Sequence, residues 1–185
     1  MNNRALKLLF FCNGIFVLAG SLLGPLYAVY VEKLGKGILT ISTSWAVFLF
    51  STTIFMFIIS RIGDGFRKDY LLMAGFLLRA AIWFSFIFIS SIPELIFLQI
   101  LLGLGEALGT PAFEAVFAEH LDKDKPIEEY ADWQLIQNII MALGVLVGGF
   151  IVNGYGFKYL FFFMSFLAVV SFFGVLFKPK RVSIE

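Results

Sequence analysis

Charged residues are scarce in this sequence of 185 residues, because Asp, Glu, Lys and Arg make up 15% of it, whereas soluble domains carry about a quarter. Cysteine and histidine are scarcer still, since Cys12 and His120 are the only residues of their kind. One cysteine excludes an internal disulfide, and one histidine excludes a histidine-rich metal site or a catalytic histidine pair. A net charge of +1, with basic residues spread over separate loops, argues against nucleic-acid binding. We therefore expect no metal, no cofactor and no nucleic-acid partner.

Motifs typical of enzymes and channels are also missing. The sequence holds no G-x-S-x-G, no H-E-x-x-H and no TVGYG-type filter. These absences argue against a membrane enzyme or a channel, and we expect no catalytic residues.

Long apolar runs fill most of the chain, which is 60% hydrophobic and contains 24 Phe. A transmembrane helix needs about 20 mostly apolar residues to cross roughly 30 Å of hydrocarbon. Segments of this kind, joined by short links, predict an all-α integral membrane protein with a single six-helix domain over residues 1–185. The predicted helices cover residues 5–31, 40–62, 70–89, 92–121, 130–153 and 159–177.

Lys and Arg are distributed unequally between the two ends of these helices. One set of ends holds Arg4, Lys7, Arg61, Arg67, Lys68, Lys123, Lys125, Lys178, Lys180 and Arg181, and the other holds Lys33, Lys36 and Lys158. Positive residues near span ends are retained on the cytoplasmic side. The bias predicts that both termini are cytoplasmic.

Three ionisable residues inside the predicted spans are the main candidates for function: Arg79, Glu106 and Glu114. Such residues are costly in a membrane and usually face the bundle interior or a water-filled cavity. On the fourth helix, at 100° per residue, one narrow stripe holds Gln99, Gly103, Glu106, Thr110 and Glu114. The helical rise places Arg79 between the two glutamates in depth. Two interpretations stay open. The pair either locks helices three and four, or one carboxylate pairs with Arg79 while the other takes a proton or a cationic group.

Other residues within the predicted spans indicate how the helices pack against one another and against lipid. Three Gly-x-x-x-Gly spacings, at Gly20, Gly105 and Gly144, favour close helix contacts within the bundle over dimerisation. Helix five adds Gln134, Gln137 and Asn138 near its start. The Phe-rich sixth helix has no polar stripe, and we expect it to face lipid.

The turn between helices two and three, Ser60 to Lys68, resembles the cytoplasmic motif G-x-x-x-D-R/K-x-G-R/K-R/K of the major facilitator superfamily. Asp64 takes the place of the family's aspartate. Ser60 replaces the leading glycine, Gly65 replaces a basic residue, and Arg67 with Lys68 arrives one residue early.

Three further stretches resemble the family in the expected order. They are GSLLGPLYAVYVEKLG at residues 20–35, LIFLQILLGLG at residues 95–105 and ALGVLVGGFIVNGYGFKYLF at residues 142–161. Gln99 stands where many members have Arg, and Val145 stands where exchangers carry Pro. Together with the turn, these stretches cover nearly the whole chain and resemble the N-terminal half of a twelve-helix member.

In the family, helices one and four line a central cavity. The resemblance therefore implies that Asn13, Tyr27, Gln99, Glu106 and Glu114 face the substrate. Together with the intramembrane Arg79, they form the predicted substrate or proton pathway. The resemblance also implies a conformational latch at Asp64, Arg67 and Lys68. In a homodimer, Asp64 would meet the start of the partner's fifth helix, expected near Tyr130 to Trp133.

Taken together, these features predict a half-size secondary transporter of a small solute, with proton coupling as an option, in the cell's cytoplasmic (inner) membrane. It would work by alternating access as a parallel homodimer in the lipid bilayer. The alternative is a non-transporting fragment, the truncated N-terminal half of a twelve-helix transporter.

Overall fold

The computed structural model describes residues 4–34, 37–121 and 124–177, with side chains from Leu8 onward. All regular structure in these ranges is helical. The helices are α1 (Arg4–Ser21), α2 (Leu26–Lys33), α3 (Ile38–Ile62), α4 (Lys68–Ser85), α5 (Ile92–Glu119), α6 (Pro126–Tyr155) and α7 (Phe157–Leu176), with a 3₁₀ turn at Gly63–Gly65. The expected all-α bundle is confirmed, although seven helices replace the six predicted.

The first predicted helix is broken, and this break accounts for the additional element. The axes of α1 and α2 differ in direction by 45° across the break. Gly24 has φ +27° there, a left-handed value that disfavours other residues, and the ring of Pro25 removes a backbone donor. The prediction of one continuous helix over residues 5–31 is therefore wrong in detail.

Four helices are long and apolar enough to span a membrane, namely α3, α5, α6 and α7, and the bent α1–α2 pair adds a fifth candidate. Helix α4 falls outside this set because its 18 residues include Lys68, Asp69 and Arg79. The third predicted span, residues 70–89, corresponds to α4. Five of the basic residues used for the orientation prediction lie outside the described residues: Lys36, Lys123, Lys178, Lys180 and Arg181.

A capping box forms at the start of α5, the helix that carries three of the six predicted pathway residues: Gln99, Glu106 and Glu114. Ser91 and Glu94 form a capping box, in which the backbone N–H groups of Ser90 and Ser91 donate to Glu94 Oε2 at 2.8 and 3.1 Å. The box closes the free N-terminal donors of the helix. It thereby sets the start of α5 at Ile92.

Helix α7 packs against α1 and α4, contrary to the expectation that it faces only lipid. Leu160, Phe161, Met164 and Ala168 are buried in this contact. Its opposite face, with Phe162, Phe163, Phe166 and Phe173, is exposed. The helix is therefore part of the core on one side only.

Helices α3 and α6 bury little of their surface. Only Ser44 and Ser51 of α3, and Trp133, Gly144 and Gly148 of α6, are buried. The core instead consists mainly of side chains from α1, α2, α4, α5 and α7. Two apolar helices thus border the bundle with most of their side chains uncovered.

Candidate functional site

An ion pair lies inside the bundle between α4 and α5. Arg79 Nη1 is 2.8 Å from Glu106 Oε2, and the exposed fractions of the two side chains are 12% and 27%. The pair has this geometry because α4 and α5 approach closely, with Gly75 of α4 facing the backbone of Gly109. The structure thus selects Glu106, and not Glu114, as the partner of Arg79.

Neighbouring groups orient both members of the pair. Thr110 Oγ1 donates to Glu106 Oε1, and Arg79 Nη2 donates to Gly105 O and Thr110 Oγ1, both at 3.4 Å. The guanidinium carbon of Arg79 lies 4.7 Å from the ring centroid of Phe16 on α1, a cation–π distance. Arg79 therefore contacts α1 as well as α5. Thr110, which the sequence placed on the polar stripe of α5, thus contacts both members of the pair.

Two cavities meet at this ion pair. The first, which we call the turn-side cavity, has about 380 Å³ and lies at the end of the bundle that holds the α3–α4 turn. The second, the far-side cavity, has about 200 Å³ and lies toward the opposite end. Gly20, Arg79 and Glu106 line both. The ion pair consequently stands at the boundary between spaces on two sides of the bundle.

The turn-side cavity contains the second predicted carboxylate. Glu114 lines it together with Asn13 of α1 and with Gln134 and Gln137 of α6. Glu114 is exposed and has no ion pair with any residue in the described ranges. Asn138, expected on the same face as these glutamines, is exposed and does not line this cavity.

The far-side cavity contains the predicted residues Tyr27 and Gln99. Gln99 Nε2 donates to Tyr27 Oη, which donates to Ser44 Oγ at 2.6 Å. Both predicted side chains are buried, at 6% and 1% exposure. This chain of hydrogen bonds joins α2, α3 and α5. Ser44 was missed by sequence reasoning, although a serine within an apolar span was the available signal.

The structure places the predicted α5 stripe along the cavities and the contact with α3. Gln99, Glu106, Thr110 and Glu114 line the cavities, whereas Gly103 lies against Ser51 of α3. The glycines of one predicted spacing pack closely, as expected: Gly144 lies against Ser21 of α1, and Gly148 lies against Leu22, the residue after α1. The stripe therefore contains residues that line the cavities and one residue that packs against a neighbouring helix.

The residues of the predicted latch lie at the α3–α4 turn. Asp64 is exposed within the 3₁₀ turn. Arg67 Nη2 is 3.7 Å from Asp69 Oδ2, and Lys68 pairs with Glu119 at the end of α5. Lys68 thus connects the turn to α5, whereas the contact of Arg67 is local; Asp69, which is 7% exposed, is a buried carboxylate that sequence reasoning missed.

Comparison with known proteins agrees with this architecture. The family model described as Major Facilitator Superfamily matches residues 9–184. The uncharacterized MFS-type transporter YitZ of Bacillus subtilis (strain 168) is 24% identical over 156 residues, which cover 83% of this chain and 93% of YitZ.

Two longer relatives match as well. The uncharacterized MFS-type transporter MJ1560 of Methanocaldococcus jannaschii is 22% identical over 149 residues, which cover 80% of this chain and 39% of the relative. The uncharacterized MFS-type transporter YuxJ of Bacillus subtilis (strain 168) is 29% identical over 164 residues, covering 85% and 41%. The chain thus spans about two fifths of these two relatives. It belongs to the Major Facilitator Superfamily and is a multi-pass helical membrane protein of a transporter family.

Proposed function

We propose that this chain is a half-size secondary transporter that moves a small solute across the cytoplasmic membrane by alternating access, as a parallel homodimer. The observation that carries the proposal is the Arg79–Glu106 pair between two cavities on opposite sides of the bundle. Alternating access needs a solute site near the midplane with a barrier on either side. A charge pair at a cavity boundary can serve as such a barrier.

The uncovered faces of α3 and α6 support the homodimer. They present large apolar side chains in the middle of each helix, including Phe50, Ile54, Leu143 and Leu146. In twelve-helix members a second half lies beside the first, and the two halves share one orientation. A relative of similar length, YitZ, also carries the name of an MFS-type transporter. We therefore do not favour the alternative of a non-transporting fragment.

Proton coupling would use the two glutamates of α5 differently. Glu106 is held by Arg79 and Thr110, whereas Glu114 faces the turn-side cavity without an ion pair among the described residues. Intramembrane carboxylates commonly serve as proton carriers. We propose Glu114 as the group that exchanges a proton or a cation with the cavity, and Glu106 as the group that holds the barrier.

The decisive experiment is the native mass of the purified protein in lipid nanodiscs, combined with solute uptake into proteoliposomes. The proposal expects a dimer and uptake that saturates with solute concentration. A monomer would lack a second half to move against, and that result would contradict the transport mechanism.

We retain the latch in the proposal, but we expect a weaker attraction between Asp64 and the start of the partner's α6 than the sequence indicated. Helix α6 begins at Pro126 and not near Tyr130, and its first turn carries Glu128 and Glu129. These carboxylates oppose the attraction between Asp64 and the positive end of a partner's helix dipole. Such contacts contribute about 0.3–1 kcal/mol, which corresponds to a factor of about two to five in a two-state equilibrium.

Because these carboxylates weaken the contact, we expect Asp64→Asn to change the ratio of inward-open to outward-open states by about twofold, at the lower end of this range. The ratio can be measured by spin-label distances across the two openings. Glu32→Gln, at an exposed carboxylate on the opposite end of the bundle, is the control and should leave the ratio unchanged. An unchanged ratio in the Asp64 variant would remove the latch from the mechanism.

A further inference from the structure

The turn-side cavity has the size and composition of a ligand site. Its volume of about 380 Å³ falls within the range of roughly 300–1,000 Å³ found for small-molecule sites. Four helices contribute to it, namely α1, α4, α5 and α6. Ligand sites between the helices of a bundle commonly combine an apolar lining with a few polar groups. The nature of these groups indicates which solutes the cavity accepts.

The formal charge of the cavity is negative. One guanidinium, of Arg79, and two carboxylates, of Glu106 and Glu114, sum to −1. Arg79 is already engaged by Glu106 at 2.8 Å, which leaves Glu114 as the carboxylate without an ion pair in the described part of the chain. A charge that leaves water is stabilised by an opposite charge, so the cavity favours a monocation over an anion.

Aromatic rings supply much of the remaining lining. They belong to Phe16, Phe76, Phe113, Phe117, Tyr130 and Trp133. Ring faces attract organic cations, and the Arg79 guanidinium already uses the face of Phe16 in this way. The ring centroid of Trp133 lies 5.3 Å from that of Phe113 and 5.8 Å from that of Phe117, so these rings form one continuous apolar surface.

Neutral polar groups are fewer than the rings: Asn13, Thr110, Gln134 and Gln137. Thr110 is already bonded to Glu106. A polyhydroxylated solute such as a sugar would lose hydrogen bonds to water that so few groups cannot replace. The apolar part of a solute makes no hydrogen bonds to water, so it loses none when it enters the cavity.

We propose that the turn-side cavity binds an amphiphilic organic monocation, with the cationic group held by Glu114 and the apolar body lying on the rings of Phe113, Phe117 and Trp133. The inference rests on the proposed transport function and specifies its substrate class. It assigns to Glu114 the role of direct contact with the solute.

Equilibrium binding of radiolabelled tetraphenylphosphonium to the full chain in nanodiscs tests the proposal, with binding to empty nanodiscs subtracted. Tetraphenylborate, an anion of the same shape, is the control for charge. We expect saturable binding of the phosphonium, affinity at least about tenfold lower for the borate, and a similar tenfold loss in Glu114→Gln. Glu114→Asp, which keeps the charge, should retain most of the affinity.

Two further variants test whether the loss of phosphonium binding is specific to residues that line the cavity. Trp133→Leu should weaken phosphonium binding at least about threefold through loss of the ring face. Glu128→Gln, at an exposed carboxylate outside the cavity lining, should leave it within about twofold. Equal affinity of the wild type and Glu114→Gln, or equal binding of phosphonium and borate, would overturn the proposal.

Uptake measurements with the same purified protein in proteoliposomes distinguish this proposal from the proposed function. Phosphonium binding that depends on Glu114, without any solute movement in proteoliposomes, would support the site and contradict the transport function. Saturable uptake of another solute, without phosphonium binding that depends on Glu114, would contradict the substrate class and leave transport standing.

Discussion

At the scale of single residues, Arg79 and Glu106 stabilise each other in a place where either charge alone is costly. Both residues lie away from the ends of their helices. Their side chains are 12% and 27% exposed, so their contact with water is limited. Removing one member of a buried pair is more damaging than removing both, because it leaves an uncompensated charge. The two members also differ, since a carboxylate can take up a proton whereas a guanidinium stays charged.

A double-mutant cycle over Arg79→Gln and Glu106→Gln should therefore show strong coupling. We expect Glu106→Gln to lower the free energy of unfolding more than Arg79→Gln, and the double variant to be less destabilised than the sum of the two by about 1 kcal/mol or more. Denaturant unfolding in detergent micelles measures these energies.

The exposed pair of Lys125 Nζ and Glu128 Oε2, 3.2 Å apart, is the matched control, with a coupling expected at or below about 0.5 kcal/mol. Additive effects within that limit at Arg79 and Glu106 would show that the inner pair contributes no specific stabilisation.

The sequence was sufficient to predict which residues face inward on α5, because polar side chains on one stripe of an apolar helix have few other positions available. It was not sufficient to decide which glutamate pairs with Arg79. Depth along the helices placed the arginine between both carboxylates, and the choice depends on how Gly75 sets the register of α4 against α5. Asp69 was missed because it borders a charged turn, where a carboxylate is normally solvated.

At the scale of elements, hydropathy located most helices within a few residues but could not detect the break between α1 and α2. Proline and glycine are common in continuous transmembrane helices, so Gly24 and Pro25 did not by themselves predict a bend. For α7 the difficulty was different. Lipid-facing and buried positions are equally apolar in a membrane protein, and the packing face is marked instead by small residues such as Ala168 and Ser171.

Close packing at the break predicts opposite effects for two adjacent glycines of α6. A Cβ atom at Gly148 would lie 2.0 Å from the carbonyl oxygen of Leu22, whereas a Cβ atom at Gly149 would meet no atom within 4 Å. Gly148→Ala should therefore separate α1 from α6 and lower the free energy of unfolding by about 1–3 kcal/mol. Gly149→Ala should be neutral or slightly stabilising, because alanine favours helix by up to about 1 kcal/mol.

Thermal unfolding in one detergent, followed by helical circular dichroism, compares the two variants directly. A loss of stability in both, or in neither, would show that the contact between α6 and the Leu22 carbonyl does not determine how these helices pack.

At the scale of the whole molecule, the bundle is asymmetric in what it buries. The interior holds the ion pair with a cavity toward each end, whereas α3 and α6 present an outer apolar surface that nothing in the described ranges covers. In lipid such surface carries no penalty, so exposure alone does not require a partner. The case for a homodimer comes from the combination of these faces with membership of a family whose halves pair in one orientation.

The arrangement of these two helices allows the homodimer to be tested by cross-linking. Phe50 lies twelve residues after Ile38, the first residue of α3, and Leu143 lies twelve residues before Tyr155, the last residue of α6. Each is therefore about 18 Å along its helix from the same side of the bundle. Their side chains are 72% and 55% exposed, so a cysteine at either position would point away from the bundle interior.

We expect the double variant Phe50→Cys/Leu143→Cys, oxidised in nanodiscs with iodine, which partitions into lipid, to form a disulfide-linked dimer, because in the proposed parallel pair α3 of one copy meets α6 of the other at equal depth. The native Cys12 is buried beside Gly174 and should not react, which keeps the background low. Phe50→Cys/Phe166→Cys is the control, since Phe166 is exposed on α7, away from the proposed contact. A dimer that forms equally well with the control pair reflects random collision, and a dimer absent from both would leave α3 and α6 facing lipid and exclude a contact between them.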